Sequence, residues 1–213
     1  MSLLPPDAAA IAWDIDGTLI DSEPLHHRAL VAASRGFGVD LSDLPDMAFR
    51  GIHMPDVWRA LRPRLPDGLD RDTWLAAIEA AYVAGAPALV PLPGAALVIR
   101  TLAAQGLAQV AVSNSSRAVV DANLAALGIA DCLAFSISLD DVACGKPDPE
   151  PYAQAARRLG LSPDRIWAVE DSAAGLASAR AAGLRSIAIL SGSEPLPLAD
   201  HAIRALDEIV AQA

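Results

Sequence analysis

Cysteine is scarce in this 213-residue chain, where Cys132 and Cys144 are the only two. Two thiols are too few for a disulfide framework, and they lack the paired spacing of a zinc site. They fit a reducing compartment, so a cytoplasmic location is the default expectation. No apolar run is long enough to span a bilayer, and no membrane partner is expected. The opening "MSLLPPDAAA" has no basic stretch ahead of an apolar one, so it does not read as a secretory signal. Positive charge is in the minority: 16 Lys and Arg against 26 Asp and Glu leave a net charge of −10. That argues against nucleic-acid binding, which needs a basic face. An anionic substrate stays open, because a local cation can invert the field.

Internal repeats and low-complexity linkers are also lacking. What is present is enough apolar residue, 53%, for one core domain and a small second one. "AAIAWD" (9–14), "AQVAVSN" (108–114), "RIWAVED" (165–171) and "RSIAIL" (185–190) read as buried strands. "CLAFSISL" (132–139) and "DHAIRAL" (200–206) read as weaker ones. Helical spacing fills the intervals 94–106, 116–128, 150–160 and 173–183, each stopping at a glycine. Alternating strands and helices predict an α/β fold: a Rossmann-like parallel sheet core with helices on both faces. Residues 22–90 break the rhythm with helical patterns alone. They predict a small all-helical cap, 21–89, inserted after the first strand into a core of 1–20 and 90–213. Trp58 and Trp74 fit the core of that insert.

In open α/β sheets, ligands bind beyond the carboxyl ends of the strands. The first strand ends at Asp14, with Asp16 just past it. The second ends at Ser113, followed by Asn114 and Ser115. The strand over 165–171 ends at Glu170 and Asp171, and Lys146 lies in the loop "CGKPDPEPY". Taken singly, each has a plain reading, such as a helix cap or a solvated lysine. Together they converge on one edge. Ser113 and the N–H groups after it precede a helix, which is favourable for phosphate.

This order of motifs, "DIDGT", Ser113, Lys146 in "GKPDPEPY" and "EDSAAG", resembles the haloacid dehalogenase-like superfamily across the whole core. "DSEPLHHRAL" and the insert resemble its helical-cap branch, which includes beta-phosphoglucomutase and phosphoglycolate phosphatase. The resemblance implies that Asp14 is the nucleophile, forming an aspartyl-phosphate, and that Asp16 is the general acid and then the base. It implies Mg²⁺ held by Asp14, the Asp16 carbonyl, Asp171 and Glu170, the last directly or through water. Lys146 offsets the charge shared by phosphate and Asp14. Thr18 would orient Asp16 beside the substrate. Dehalogenases generally lack the second Asp, so Asp16 favours phosphoryl transfer.

In the cap, His26 matches a histidine that faces the active site in the mutase branch and ranks above His27. Arg50 and Gly51 resemble a substrate-contacting pair, whereas Met54 stands where beta-phosphoglucomutase carries an Arg for the distal phosphate. Cys144 reads as packing. The expected activity is Mg²⁺-dependent hydrolysis of a small phosphorylated metabolite, a sugar phosphate or phosphoglycolate-like ester. The alternatives are a sugar phosphomutase and a non-catalytic homologue that binds a phospho-ligand or a protein. The insert is expected to act as a lid. Oligomeric state is not readable, with a monomer as the default.

Overall fold

The computed structural model describes residues 3–45, 48–49, 52, 54–190, 196 and 199–210. The chain forms two compact units, Met1–Asp21 with Val90–Ala213, and Ser22–Leu89. The strands are β1 (Ala10–Trp13), β2 (Ala108–Val112), β3 (Phe135–Ile137), β4 (Ile166–Glu170), β5 (Arg185–Ile189) and β6 (His201–Ile203). Helices α1 (Glu23–Gly36), α2 (Met54–Leu61) and α3 (Arg71–Gly85) belong to the second unit. Helices α4 (Ala95–Ala104), α5 (Arg117–Leu127), α6 (Glu150–Leu159) and α7 (Ala173–Ala181) belong to the first.

The six strands form one parallel sheet in the order β3-β2-β1-β4-β5-β6. β1, β2 and β4 are apolar along nearly their whole length because both faces of a parallel sheet are covered. Ala10, Ala12, Val110, Val112 and Ala168 share one face with Tyr152 and Ala155 of α6 and Ala179 of α7. Side chains alternate along a strand, so Trp13 and Gln109 lie on the other face. There the Trp13 Nε1–H donates to Gln109 Oε1 at 2.9 Å, and Gln109 Nε2 donates to the Ile99 carbonyl of α4 at 2.9 Å. A glutamine inside a strand is tolerated here because both ends of its amide are used.

Two expected strands are shorter than their apolar runs. β3 is confined to Phe135–Ile137 because 3₁₀ turns flank it, Ala130–Cys132 and Leu139–Asp141. The second turn is fixed by Asp141, which accepts from the Ser138 N–H and Oγ, both at 2.8 Å. β6 stops at Ile203 because Glu208 captures the N–H groups of Arg204 and Ala205. α5 and α6 end one residue before Gly128 and Gly160, as the spacing predicts.

β1 lies inside the sheet, where the strand order turns from β2 on one side to β4 on the other. Trp13 is level with Ala111 and with Val169. The ladder continues past the named strands, with Asp14 N–H to Val169 O at 3.0 Å and Ser113 N–H to Ile137 O at 2.9 Å. The candidate residues therefore reach one edge at similar depth. The two links to the helical unit leave this unit side by side: Ile20 bridges Pro91, and the Leu92 N–H donates to Leu19 O at 2.9 Å.

In the second unit α1 packs on α3. Trp74 is fully buried and its Nε1–H donates to Ser34 Oγ at 3.1 Å, while the Trp58 ring centre lies 5.3 Å away. Asp70 caps α3 through the Thr73 N–H at 2.9 Å. Among the described residues, no helix is long and apolar enough to cross a membrane.

Candidate active site

Asp14 and Asp16 leave β1 on either side of Ile15, whose side chain is buried in the core. The chain then reverses: the N–H groups of Leu19 and Ile20 return to the Ile15 carbonyl, and that of Gly17 to the Ile20 carbonyl. Gly17 has φ 86°, and a Cβ there would lie 2.2 Å from Asp171 Oδ2. Glycine thus permits both the left-handed turn and the close approach of the third carboxylate.

Lys146 is the hub. Its ammonium is 4% exposed and donates to Asp14 Oδ1 at 2.7 Å, Glu170 Oε1 at 2.6 Å and the Val112 carbonyl at 2.7 Å. An ammonium has three donors, and all three are used. Asn114 clamps the loop that carries it, donating to Lys146 O at 2.9 Å and accepting from Lys146 N–H at 2.8 Å. Glu170 in turn accepts from Tyr152 Oη at 2.6 Å and Ser172 Oγ at 3.2 Å. Ser172 also caps α7 by accepting from the Gly175 N–H at 3.0 Å. A Cβ on Gly175 would fall 1.9 Å from the Glu170 carboxylate, so that carboxylate rests directly against the first turn of the helix.

Asp14 and Glu170 pair with this one ammonium, and Asp171 adds a third acidic group beside them. Burial, then the neighbouring Glu170 charge, push the Asp14 carboxyl well above the usual range despite Lys146. Burial and Glu170 likewise raise Asp171 to about 6. For Lys146, burial opposes its charge, but Asp14 and Glu170 more than offset this and raise it. Burial and Glu170 raise the Tyr152 phenol, which therefore donates as a neutral hydroxyl.

Asp14, Glu170 and Asp171 each offer one oxygen within 4.8 Å of the others. Asp14 Oδ2 is buried without a hydrogen-bond partner among the described residues. An all-oxygen donor set with excess negative charge and one unsatisfied buried oxygen fits a hard divalent cation such as Mg²⁺.

Asp16 occupies a different environment. Its Oδ2 accepts from Ser113 Oγ at 3.2 Å and Ser115 Oγ at 3.0 Å, and its Oδ1 accepts from Asn123 Nδ2 at 2.9 Å. Thr18 is fully buried, and its Oγ1 has no partner among the described residues; the two serines and Asn123 hold Asp16 instead. The Asn114 side chain is spent on the Lys146 backbone, and the Ser115 hydroxyl on Asp16. Two of the N–H groups expected to meet phosphate are also engaged, Ser115 by Ser113 Oγ at 3.0 Å and Arg117 by Asp140 Oδ2 at 2.7 Å. Asn123 and Tyr152 were not anticipated. A buried polar residue inside an otherwise apolar helical stripe was the one signal available for Asn123.

In the helical unit, the His26 ring centre lies 4.3 Å from that of Tyr82, and His27 is half-buried on the same helix. Met54 opens α2. Arg50 and Gly51 lie outside the described residues. Cys144 is exposed, and its N–H donates to Glu150 Oε2 at 2.9 Å. The backbone at Cys144, not its thiol side chain, holds the loop ahead of Lys146.

A family model described as haloacid dehalogenase-like hydrolase matches residues 8–183. Hexitol phosphatase B of Escherichia coli (strain K12) is 30% identical over 217 residues, covering 98% of this chain and 97% of its own. Validoxylamine A 7'-phosphate phosphatase of Streptomyces hygroscopicus subsp. limoneus is 31% identical over 207 residues, covering 92% of this chain and 93% of its own. Among solved structures, CbbY from Rhodobacter sphaeroides in complex with phosphate superposes with a TM-score of 0.84 at 28% identity, covering 95% of this chain and 96% of that one.

Proposed function

The chain belongs to the haloacid dehalogenase-like hydrolases, and we propose that it is a Mg²⁺-dependent phosphatase of a small phosphorylated metabolite, a sugar phosphate or phosphoglycolate-like ester, working through an aspartyl-phosphate. The contrast between Asp14 and Asp16 carries this reading. Asp14 is buried, with one oxygen on Lys146 and the other unpartnered among the described residues. Asp16, two residues on, is half-buried in a cradle of neutral donors. Two carboxylates in such different surroundings suit two roles. The relatives' names, phosphatases of a hexitol phosphate and of validoxylamine A 7'-phosphate, support a small phosphate ester as substrate.

In the first step an Asp14 oxygen attacks phosphorus, the bond from phosphorus to the ester oxygen breaks, and Asp16 gives its proton to the departing alkoxide. In the second, water attacks the aspartyl-phosphate, its proton passes to Asp16, and the bond to Asp14 breaks. The sum is ester plus water giving alcohol plus inorganic phosphate. Lys146 orients Asp14 and opposes its protonation, while Glu170, Tyr152 and Asn114 keep Lys146 in place. Ser113 can turn its hydroxyl to the phosphate. Mg²⁺, held by Asp14, Asp171 and the Asp16 carbonyl with Glu170 beside them, would neutralise the phosphate charge when bound.

The test is phosphate release from a panel of sugar phosphates and 2-phosphoglycolate, with Mg²⁺ or with chelator. Wild type is expected to hydrolyse at least one ester only with Mg²⁺, and Asp14→Asn to lose at least about a thousandfold in kcat while remaining folded by circular dichroism. Near-normal turnover by Asp14→Asn, or a wild type inert to every ester, rejects the reading.

A further inference from the structure

We infer that Asn123 is the positioning residue for the acid–base carboxylate Asp16, an inference that rests on the phosphatase reading above. The helix α5 buries Val119, Val120, Leu124 and Leu127 as one apolar stripe, and Asn123 falls in that stripe with no solvent exposure. A leucine would satisfy the helix and the core better, since an amide withdrawn from water is costly unless it is bonded. Its Nδ2 donates to Asp16 Oδ1 at 2.9 Å, across 107 residues of sequence. A carboxylate only accepts, so the amide nitrogen must face it.

Two further contacts to Asp16 are of a different kind. Ser113 and Ser115 reach Oδ2 through hydroxyls, each with a single proton that can rotate. When Ser113 turns its proton to a substrate phosphate, Asp16 loses that bond. The planar amide of Asn123 sits on a helix, holds the opposite oxygen and has no reason to move. It anchors Asp16 through both halves of the reaction while the serines change partners.

The role separates from a merely structural one by leaving group. Departure of an alkoxide needs the Asp16 proton, whereas p-nitrophenolate leaves without it. kcat/KM reports on events up to loss of the leaving group. The experiment compares wild type, Asn123→Leu and Asn123→Asp on p-nitrophenyl phosphate and on the fastest of sorbitol 6-phosphate, glucose 6-phosphate and 2-phosphoglycolate, all with Mg²⁺. For both variants kcat/KM on the alkyl ester is expected to fall about 10- to 100-fold, and on p-nitrophenyl phosphate to stay within about threefold. Melting curves and competitive inhibition by inorganic phosphate check that fold and phosphate binding persist. The leucine variant keeps the approximate bulk and loses the donor, so wild-type behaviour from it would show that shape alone matters and overturn the inference. Equal losses on both esters, or none on either, would overturn it as well. A wild type that hydrolyses neither ester class rejects the phosphatase reading, and the positioning role falls with it.

Discussion

Tyr152 shows how a single hydroxyl bears on the site without touching substrate. It is fully buried in α6 and spends its proton on Glu170, the same oxygen that accepts from Lys146. Tyr152→Phe would keep the packing and leave Glu170 with one donor fewer. A hydrogen bond to a charged, buried group contributes about 1.5–3 kcal/mol. In a chain of this size that corresponds to a fall in Tm of roughly 3–12 °C. The measurement is a thermal melt in chelator, and an unchanged Tm would remove Tyr152 from the network.

At the scale of elements, what matters is how the turn after β1 meets the end of β4. Gly17 lets Asp171 come close to the turn, and any Cβ at that position would intrude on the Asp171 carboxylate. Gly17→Ala should therefore displace a proposed metal ligand as well as strain a turn held at φ 86°. The expected result is at least about a tenfold rise in the Mg²⁺ concentration giving half-maximal activity. Gly36→Ala, where a Cβ would meet nothing within 4 Å, should leave Mg²⁺ dependence unchanged. Equal Mg²⁺ curves for Gly17→Ala and wild type would remove Asp171 from the metal's ligands.

For the molecule as a whole, the crowded carboxylates link stability, pH and metal. Asp14 and Asp171 have folded-state pKa values above their ordinary ones, Asp171 at about 6. A carboxylate raised on folding favours the folded state while protonated. That contribution is fully present below the unfolded pKa, about 3.9, and is lost as pH rises through about 6. The metal-free chain should thus lose stability from these groups as pH rises from about 4 to 7. Mg²⁺ binds the ionised forms, so protons compete with it below that range. At a hundredfold excess over Kd it should stabilise by about 2.7 kcal/mol at pH 7.5, roughly 5–10 °C in Tm, and by much less at pH 5. An equal gain in Tm at both pH values would contradict this electrostatic account.

The alternation of apolar runs and helical spacing was enough to determine a parallel α/β sheet, because strands covered on both faces must be apolar throughout and helices between them must be amphipathic. The motif residues were legible for a similar reason: polar side chains stand out where a buried strand ends. The extents of β3 and β6 were not legible, since Asp141 and Glu208 end them through local turns that an apolar count does not register. The partners were decided only by tertiary structure. The sequence offered Thr18 as the neighbour of Asp16, two positions away, but the fold brings Asn123 and Ser115 from the other side of the site. It also turns Asn114 onto the backbone of Lys146 and sets Tyr152 under Glu170. Hydrogen bonds between groups about 100 residues apart depend on how helices and loops settle on the sheet. Spacing along the chain carries no record of that settling.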